Sequence, residues 1–398
     1  MHDWLQKVWY GGTPAPGWLR ALTALYGLAV HIRQRCYARG WCRALEVGCP
    51  VVVVGNLTVG GTGKTPLVIW LAQALGTLGL RVAVITRGYG RSARARAGAG
   101  HYQHDVLRVD SLCTAADVGD EALLIWRRAQ VPVYVSRDRV AAGRAAVADG
   151  AQLLIADDGL QHLRLARVVE IALIDAAHGL GNGALLPAGP LRERAARLET
   201  VAAVVLTGEG AFQRPGALRM SFAGDVLVPL GGQGPPETLA RWRGRRVHAF
   251  AGIGNPGRFF ATLRAAGLTV IEHPLPDHQA ISRAQLQPED GLPVLMTEKD
   301  AVKCPRDAAA KVWFLPVDAH FANADAISLL GRILMDARLL DILACPVCKG
   351  PLRLVSDAQG KLLVCRADRL GFPLRDGVPN FVVEAARVLE AGDPLLER

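Results

Sequence analysis

The residues best suited to chemistry fall in four places. The first is Thr58-Val59-Gly60-Gly61-Thr62-Gly63-Lys64-Thr65, which follows the four-valine run Val51–Val54. A buried strand, a glycine-rich loop and the start of an amphipathic segment arrive in the order that a phosphate-binding loop requires. Backbone N–H groups of such a loop surround a polyphosphate, Lys64 reaches the outer phosphates, Thr65 can ligate Mg2+, and the helix N-terminus adds positive potential. The strict pattern has Gly at the first of these eight positions, and here it is Thr58. The second place is Leu153-Leu154-Ile155-Ala156-Asp157-Asp158, an apolar strand ending in two carboxylates. In a nucleotide-binding fold that strand brings an acidic group to the metal, directly or through water.

The third place is Val118-Gly119-Asp120-Glu121, just before a helical run. Asp120 reads either as the helix N-cap or as a general base. His278, beside Asp277, is either a structural loop histidine or the partner of such a base. The fourth is Cys345-Pro346-Val347-Cys348, with Cys365 in a strand-like run, Leu362–Cys365. A tetrahedral zinc site needs four ligands, so three cysteines leave the fourth position to Asp368, another side chain or water. A guanine-reading Asn-Lys-x-Asp is missing; the nearest sequence is Thr297-Glu298-Lys299-Asp300, which favours ATP.

The elements that must position these groups are legible as alternation. Strand-like runs at Val51–Val54, Val82–Thr86, Val131–Val135, Leu153–Ala156, Ile171–Asp175 and Val201–Thr207 are interleaved with helical patterns at Leu67–Leu78, Glu121–Gln130 and Arg137–Asp149. This predicts an α/β fold with a mostly parallel sheet covered by helices on both faces. Gly231-Gly232-Gln233-Gly234-Pro235-Pro236 is the clearest internal break. A smaller α/β unit follows, with strands expected at Arg246–Ala251, Leu268–Glu272, Pro293–Thr297 and Val312–Val317 and a helix at Asp325–Met335. The expected division is residues 1–40 as an N-terminal helical segment, 41–230 as the nucleotide-binding core, 231–337 as a second lobe and 338–398 as a small C-terminal domain. Arg91–Gly100, rich in Arg, Ala and Gly without periodicity, reads as a mobile basic loop.

Composition bounds the partners. The formal net charge is +10, and only seven of the 46 basic residues are lysines. That excess of arginine suits anionic partners or reflects genomic base composition. Eight cysteines without a disulfide-type spacing point to a reducing compartment. Near the N-terminus, Trp4, Trp9, Tyr10 and Trp18 precede the apolar run Leu19–Ile32, and Arg33, Arg35 and Arg39 follow it. The run is short of the roughly 20 apolar residues that span a bilayer. Aromatic residues on one flank and arginines on the other suit a helix lying in the membrane interface, the alternative being an amphipathic helix packed on the protein's own core.

Taken together, Gly55–Pro66, Thr86–Gly90, Val118–Glu121, Asp157–His162, Leu186–Glu193 and Met296–Lys303 closely resemble the tetraacyldisaccharide 4′-kinase (LpxK) family, over about Trp4 to Leu334. The resemblance implies transfer of the γ-phosphate of ATP, with Mg2+, to the 4′-hydroxyl of a tetraacylated glucosamine disaccharide 1-phosphate. The product is lipid IVA, made by a peripheral enzyme at the cytoplasmic face of a Gram-negative inner membrane. That family's loop departs from the strict pattern at the same position as Thr58. By resemblance, Lys64 and Thr65 hold phosphates and magnesium, and Asp157 and Asp158 belong to the metal-binding carboxylates, with Glu121 a further contributor. Asp120 activates the sugar hydroxyl with support from His278, and Arg87, Arg192 and Lys303 contact phosphates or the disaccharide. The C-terminal run from about Leu340 to Leu389 resembles the YcaR-type family, itself similar to zinc-ribbon proteins. The other class of function considered is a P-loop ATPase acting as a nucleotide-switched or metal-handling binding protein. Asp120 with His278 and the aromatic-flanked N-terminus favour the lipid kinase, and no nucleic-acid partner is expected.

Overall fold

The computed structural model describes residues 2–91, 105–232, 234–277, 279, 281–304, 311–334, 336–340, 342–357, 360–375 and 378–397. Two N-terminal helices, α1 (His2–Tyr10) and α2 (Gly17–Ala38), precede the first sheet. Its strands in chain order are β1 (Val51–Asn56), β2 (Val82–Thr86), β3 (Leu107–Arg108), β4 (Val133–Val135), β5 (Leu153–Asp157), β6 (Val169–Asp175), β7 (Ala203–Thr207) and β8 (Leu218–Ala223). Helices α3 (Lys64–Thr77), α4 (Asp120–Ala129) and α5 (Arg139–Ala148) connect them. The spatial order puts β1 between β5 and β6, both parallel to it.

The valine run of β1 explains why this strand is central. Val52 and Val54 point into the core under α3 and α4, with Leu67, Leu71, Leu75 and Ile125. Val51 and Val53 point to the opposite core, with Val140 and Ala146 of α5 and with Leu160 and Leu191. A strand buried on both faces is apolar throughout, so its sequence does not alternate. The site lies where β1 and β5 end, at the carboxyl edge of the sheet, where open α/β folds bind ligands.

The second sheet comprises β9 (Val226–Pro229), β10 (Glu237–Thr238), β11 (Arg246–Ala251), β12 (Thr269–Pro274), β13 (Val294–Thr297) and β14 (Val312–Leu315). Helix α6 (Pro256–Ala265) covers one face through Phe259, Phe260 and Leu263, while Ile281 and Leu286 close the other. The path of the chain is less simple than the break at Gly231 suggested. Strand β9 precedes that break yet pairs with β14. After β14 the chain returns to the first sheet, where β15 (Asp318–Phe321) pairs antiparallel with β8. Helix α7 (Asn323–Leu334), the helix expected at Asp325–Met335, therefore buries Leu329, Ile333 and Leu334 in the core of the first sheet. Most of the basic loop expected at Arg91–Gly100 lies outside the described residues; Arg91 itself pairs with Asp105 at 2.7 Å.

The C-terminal module is an antiparallel sheet of β16 (Arg353–Asp357), β17 (Gly360–Cys365) and β18 (Leu370–Arg375) with two short strands beside β18. Leu343, Cys345, Leu352, Leu363, Cys365 and Phe372 form one continuous core with Leu329 and Ile333 of α7. The module is thus packed onto the core of the first sheet instead of hanging from it.

Candidate active site between two lobes

The loop after β1 enters α3 through Gly63, whose φ of 84° is left-handed. Lys64, at the first helical position, places Nζ 3.2 Å from Asn56 Oδ1 and 3.6 Å from Asp158 Oδ1. Among the described residues Thr62 Oγ1 is buried without a hydrogen-bond partner, while the Thr62 carbonyl accepts from Thr207 Oγ1 at 2.9 Å. A buried hydroxyl facing no acceptor is the kind of group that a bound phosphate satisfies. Across from the loop stands Gly254, at the entrance to α6. A Cβ there would lie 2.3 Å from Gly61 N, so the backbones of the two lobes meet at a distance only glycine permits.

The strand β5 delivers Asp157 and Asp158 as expected, and their environments are opposite. Asp157 is fully enclosed: Oδ2 accepts from Thr86 Oγ1 at 3.1 Å, and Oδ1 has no hydrogen-bond partner among the described residues. Burial, with Glu121 and Asp158 adding like charge, pushes its pKa up to about 7. Burial also pushes on Asp158, but Lys64 and Arg192 outweigh it and hold that carboxyl below its ordinary value. Arg192 donates through one nitrogen to both Asp158 oxygens at 3.0 Å. Arg139, itself buried, donates to the backbone carbonyls of Asp157 at 2.8 Å and Asp158 at 3.2 Å. An enclosed, orphaned carboxylate oxygen beside an ionised carboxylate, with the charge of Glu121 acting on it, is a donor set of hard oxygens, suited to Mg2+.

Asp120 is not the helix cap. Gly119 holds that position with φ 92°, and a side chain there would run into Tyr89 O. Asp120 therefore begins α4 with only 3% of its surface exposed, its Oδ1 accepting from Glu121 N–H at 2.9 Å. Glu121 accepts from Lys299 Nζ of the second lobe at 2.9 Å. At the other end of α4, Arg128 pairs with Glu298 at 2.5 Å, so this one helix carries much of the contact between lobes.

The remaining sequence candidates separate. Arg192 is in the site, on Asp158. Arg87 is exposed, its guanidinium donating to the Tyr89 hydroxyl at 2.9 Å. Lys303 is spent on Asp300, 2.7 Å away, and on the Gln279 carbonyl. His278 lies outside the described residues. Three participants were not singled out from sequence: Arg139, Thr86 and Lys299. Arg139 follows a capping aspartate and carries no motif. Thr86 and Lys299 lie in runs that carry the family resemblance, Thr86–Gly90 and Met296–Lys303, but no role attaches to either from sequence.

The segment 185–193 links this site to α2. Tyr26 of α2 donates to Arg192 O at 2.9 Å, Gln34 donates to Glu193 at 2.6 Å, and Thr23 accepts from Ala188 N–H at 2.9 Å. These residues share the inner face of α2. Trp18, Leu22, Leu25, Leu28 and Ile32 form an exposed stripe on the outer face, spaced as one side of a helix. Among the described residues no helix is long and apolar enough to cross a membrane.

In the C-terminal module, one ligand atom each from Cys345, Cys348, Cys365 and Asp368 lie within 4.8 Å of one another. Cys348 Sγ is 3.5 Å from Cys365 Sγ, and Asp368 Oδ2 is 3.0 Å from Cys345 Sγ and 3.2 Å from Cys365 Sγ. These separations fit a tetrahedral zinc with three thiolates and one carboxylate. Because two of the cysteines sit in the core shared with α7, stripping zinc with a strong chelator should lower Tm by about 5 °C or more. Differential scanning fluorimetry of the wild type and Cys348→Ser checks this; a Tm that chelation leaves unmoved would count against a metal.

The raised Asp157 carboxyl predicts a pH dependence. The folded state holds this proton more tightly than the unfolded chain, so in the unliganded protein the group costs stability as pH rises from the ordinary carboxylate range to about 7. A Mg2+ ion bound through Asp157 would have to displace the same proton, so on that assignment affinity for MgATP falls about tenfold per pH unit below that value and levels off above it. Titration calorimetry across the range reads the slope, and Asp157→Asn should abolish it.

The sequence and the fold have relatives among known proteins. The family model described as tetraacyldisaccharide-1-P 4′-kinase matches residues 16–334, and one described as Trm112p-like protein matches residues 336–377. A tetraacyldisaccharide 4′-kinase of Pseudomonas paraeruginosa is 48% identical over 318 residues, covering 79% of this chain and 92% of the relative. One from Alkalilimnicola ehrlichii is 46% identical over 309 residues, covering 77% and 90%. The crystal structure of Aquifex aeolicus LpxK in complex with ATP superposes with a TM-score of 0.63 at 28% identity, over 79% of this chain and 98% of that one. The chain therefore belongs to the tetraacyldisaccharide 4′-kinase family, with a Trm112p-like domain joined behind the kinase body.

Proposed function

We infer that this protein transfers the γ-phosphate of ATP to the 4′-hydroxyl of a tetraacylated glucosamine disaccharide 1-phosphate, forming lipid IVA for lipid A synthesis. The observation that carries the site assignment is the buried Asp120 at the first turn of α4, beside Glu121, whose charge acts on Asp157 at the end of β5. Phosphoryl transfer leaves the protein little covalent work; it must position the reactants and balance charge. The loop Thr58–Thr65 cradles the phosphates and Lys64 contributes a cation to the outer ones. Thr65, Asp157, Asp158 and Glu121 would hold Mg2+, which would supply positive charge to offset that of the phosphates. Arg192 keeps Asp158 ionised and fixed, and Arg139 fixes the backbone that carries both carboxylates. Asp120 takes the proton from the attacking sugar hydroxyl, a role in which His278 supports it, while Gly254 and the second lobe close over the loop and exclude water.

The lipid acceptor needs a surface, and the outer stripe of α2 supplies one. Trp4 stacks on Trp18 with ring centroids 6.5 Å apart at its edge. Arginines at 33, 35 and 39 follow the stripe, which suits anionic head groups of the cytoplasmic leaflet. Replacing Leu22 and Leu25 together by Glu should weaken binding to anionic vesicles by about 10²-fold, since each buried leucine contributes roughly 1.5–3 kcal/mol. Co-sedimentation measures it, and unchanged binding would return α2 to a packing role.

Incubation with [γ-32P]ATP and the disaccharide 1-phosphate tests the activity. Labelled lipid with one added phosphate is expected. Nucleotide binding without transfer to that acceptor would overturn the reading.

A further inference from the structure

Lys299 lies in the short helical turn 298–301 after β13, in the second lobe. Its ammonium is 2.9 Å from Glu121 Oε1 on α4 and 3.0 Å from Asp277 Oδ1 in the segment after β12. These partners are 178 and 22 residues away in sequence and belong to different lobes. The side chain is only 15% exposed. Burial alone would lower its pKa, but the carboxylates of Glu121, Asp120 and Asp277 reverse that and raise it, so the ammonium stays charged.

The turn that carries Lys299 is itself fixed. Thr297 Oγ1 caps it by accepting from Asp300 N–H at 3.2 Å. Asp300, fully buried, accepts from Gly252 N–H at 2.9 Å. Gly252 opens the loop that reaches Gly254, which meets Gly61 of the phosphate loop. One rigid turn thus ties the roof of the nucleotide site to the carboxylates at the start of α4.

We propose that Lys299 is a positioning residue for phosphoryl transfer: its ammonium bridges Glu121 of the core and Asp277 of the second lobe, fixing Asp120 relative to the phosphate loop when the lobes meet. The proposal rests on the reading of Asp120 as the group that takes the sugar proton. Lys299 does not touch the reacting atoms. Its effect is on alignment, so its loss slows the chemical step and spares the binding of nucleotide. A misplacement of about 1 Å in such a site costs on the order of 10²-fold in rate.

The test is steady-state kinetics on the full-length protein with Lys299→Met, Lys299→Arg, Asp277→Asn and the double variant Lys299→Met/Asp277→Asn. The expected result is a fall in kcat of about 10²-fold for Lys299→Met with KM for ATP unchanged. Most of the rate should return in Lys299→Arg, which keeps the charge. Asp277→Asn should slow the wild type yet add nothing to Lys299→Met, because both remove the same bridge. A rise in KM for ATP at constant kcat would make Lys299 a phosphate contact and overturn the proposal. So would additive losses, or an arginine variant as slow as the methionine one. If Lys299→Met does not fold, the arginine and Asp277 variants decide alone: full activity in Asp277→Asn overturns the bridge. Should Asp120→Asn prove active while Lys299→Met is slow, the reading of the base has failed and the bridge has not.

Discussion

Exchange of Asp120 for Asn lowers kcat by about 10²–10⁴-fold, the range that a positioned general base contributes, and leaves ATP binding in place. The substitution is nearly isosteric. Asn can still accept the Glu121 N–H bond that now holds Asp120 Oδ1 at 2.9 Å, so the start of α4 keeps its geometry. It cannot take the proton. Alanine at the same position would confound the two effects, because Asp120 is buried and its carboxylate accepts from the Glu121 N–H at the start of α4. Single-turnover measurements at saturating ATP isolate the chemical step, and nucleotide titration confirms that the phosphate loop is intact. A kcat near that of the wild type would remove Asp120 from the chemistry and leave it a role in ordering α4.

How much of this was legible in the sequence depends on how local the determinant is. The β1 strand, the loop and Asp157-Asp158 are each encoded within a dozen residues, by apolar runs and glycine spacing, and the structure puts them side by side through the parallel pairing of β1 with β5. The start of α4 was placed to within one residue, but its cap was not. Gly119 caps because the turn at Gly88–Tyr89 leaves no room for a side chain, a tertiary fact. The return of the chain to the first sheet at β15 was hidden for the same reason: Asp318–Phe321 pairs with residues almost a hundred positions earlier, and no local pattern specifies which sheet an edge strand joins. Lys299 and Arg139 were illegible because their value lies in partners far away in the chain.

The two lobes also divide the electrostatic work unequally. The core supplies most of the acidic groups, Asp157, Asp158, Asp120 and Glu121, and balances one of them internally with Lys64 and Arg192. The second lobe brings Lys299 against Glu121 and Arg258 against Asp175 at 3.1 Å. Opening the lobes would strip those cations from the core and leave its carboxylates to repel one another, which favours a closed arrangement when the site is empty of phosphate.

Loss of the Lys64 ammonium is the second large effect expected. In Lys64→Ala, kcat/KM for ATP should fall by about 10²–10³-fold, as when one preorganised donor to developing charge is removed. The ammonium is wedged between Asn56 Oδ1 and Asp158 Oδ1, with its side chain 12% exposed. Its removal therefore acts twice: the outer phosphates lose a cation, and Asp158 loses the first of the cations, with Arg192 and Arg139, that hold its carboxyl down. The second consequence separates this residue from an ordinary surface lysine. Asp157 and Asp158 should both become easier to protonate, since Lys64 lowers the pKa of each, so the activity that remains in Lys64→Ala should fall off at higher pH on the acid side than the wild type does. Lys64→Arg should not restore the rate, because a planar guanidinium cannot occupy a gap shaped for a compact ammonium between two oxygens. Asn56→Ala offers the graded control: it deletes one neutral partner of the ammonium and should cost no more than about tenfold. If Lys64→Ala retained kcat/KM within that same margin, the glycine-rich loop would be a structural turn and the phosphates would have to be held elsewhere.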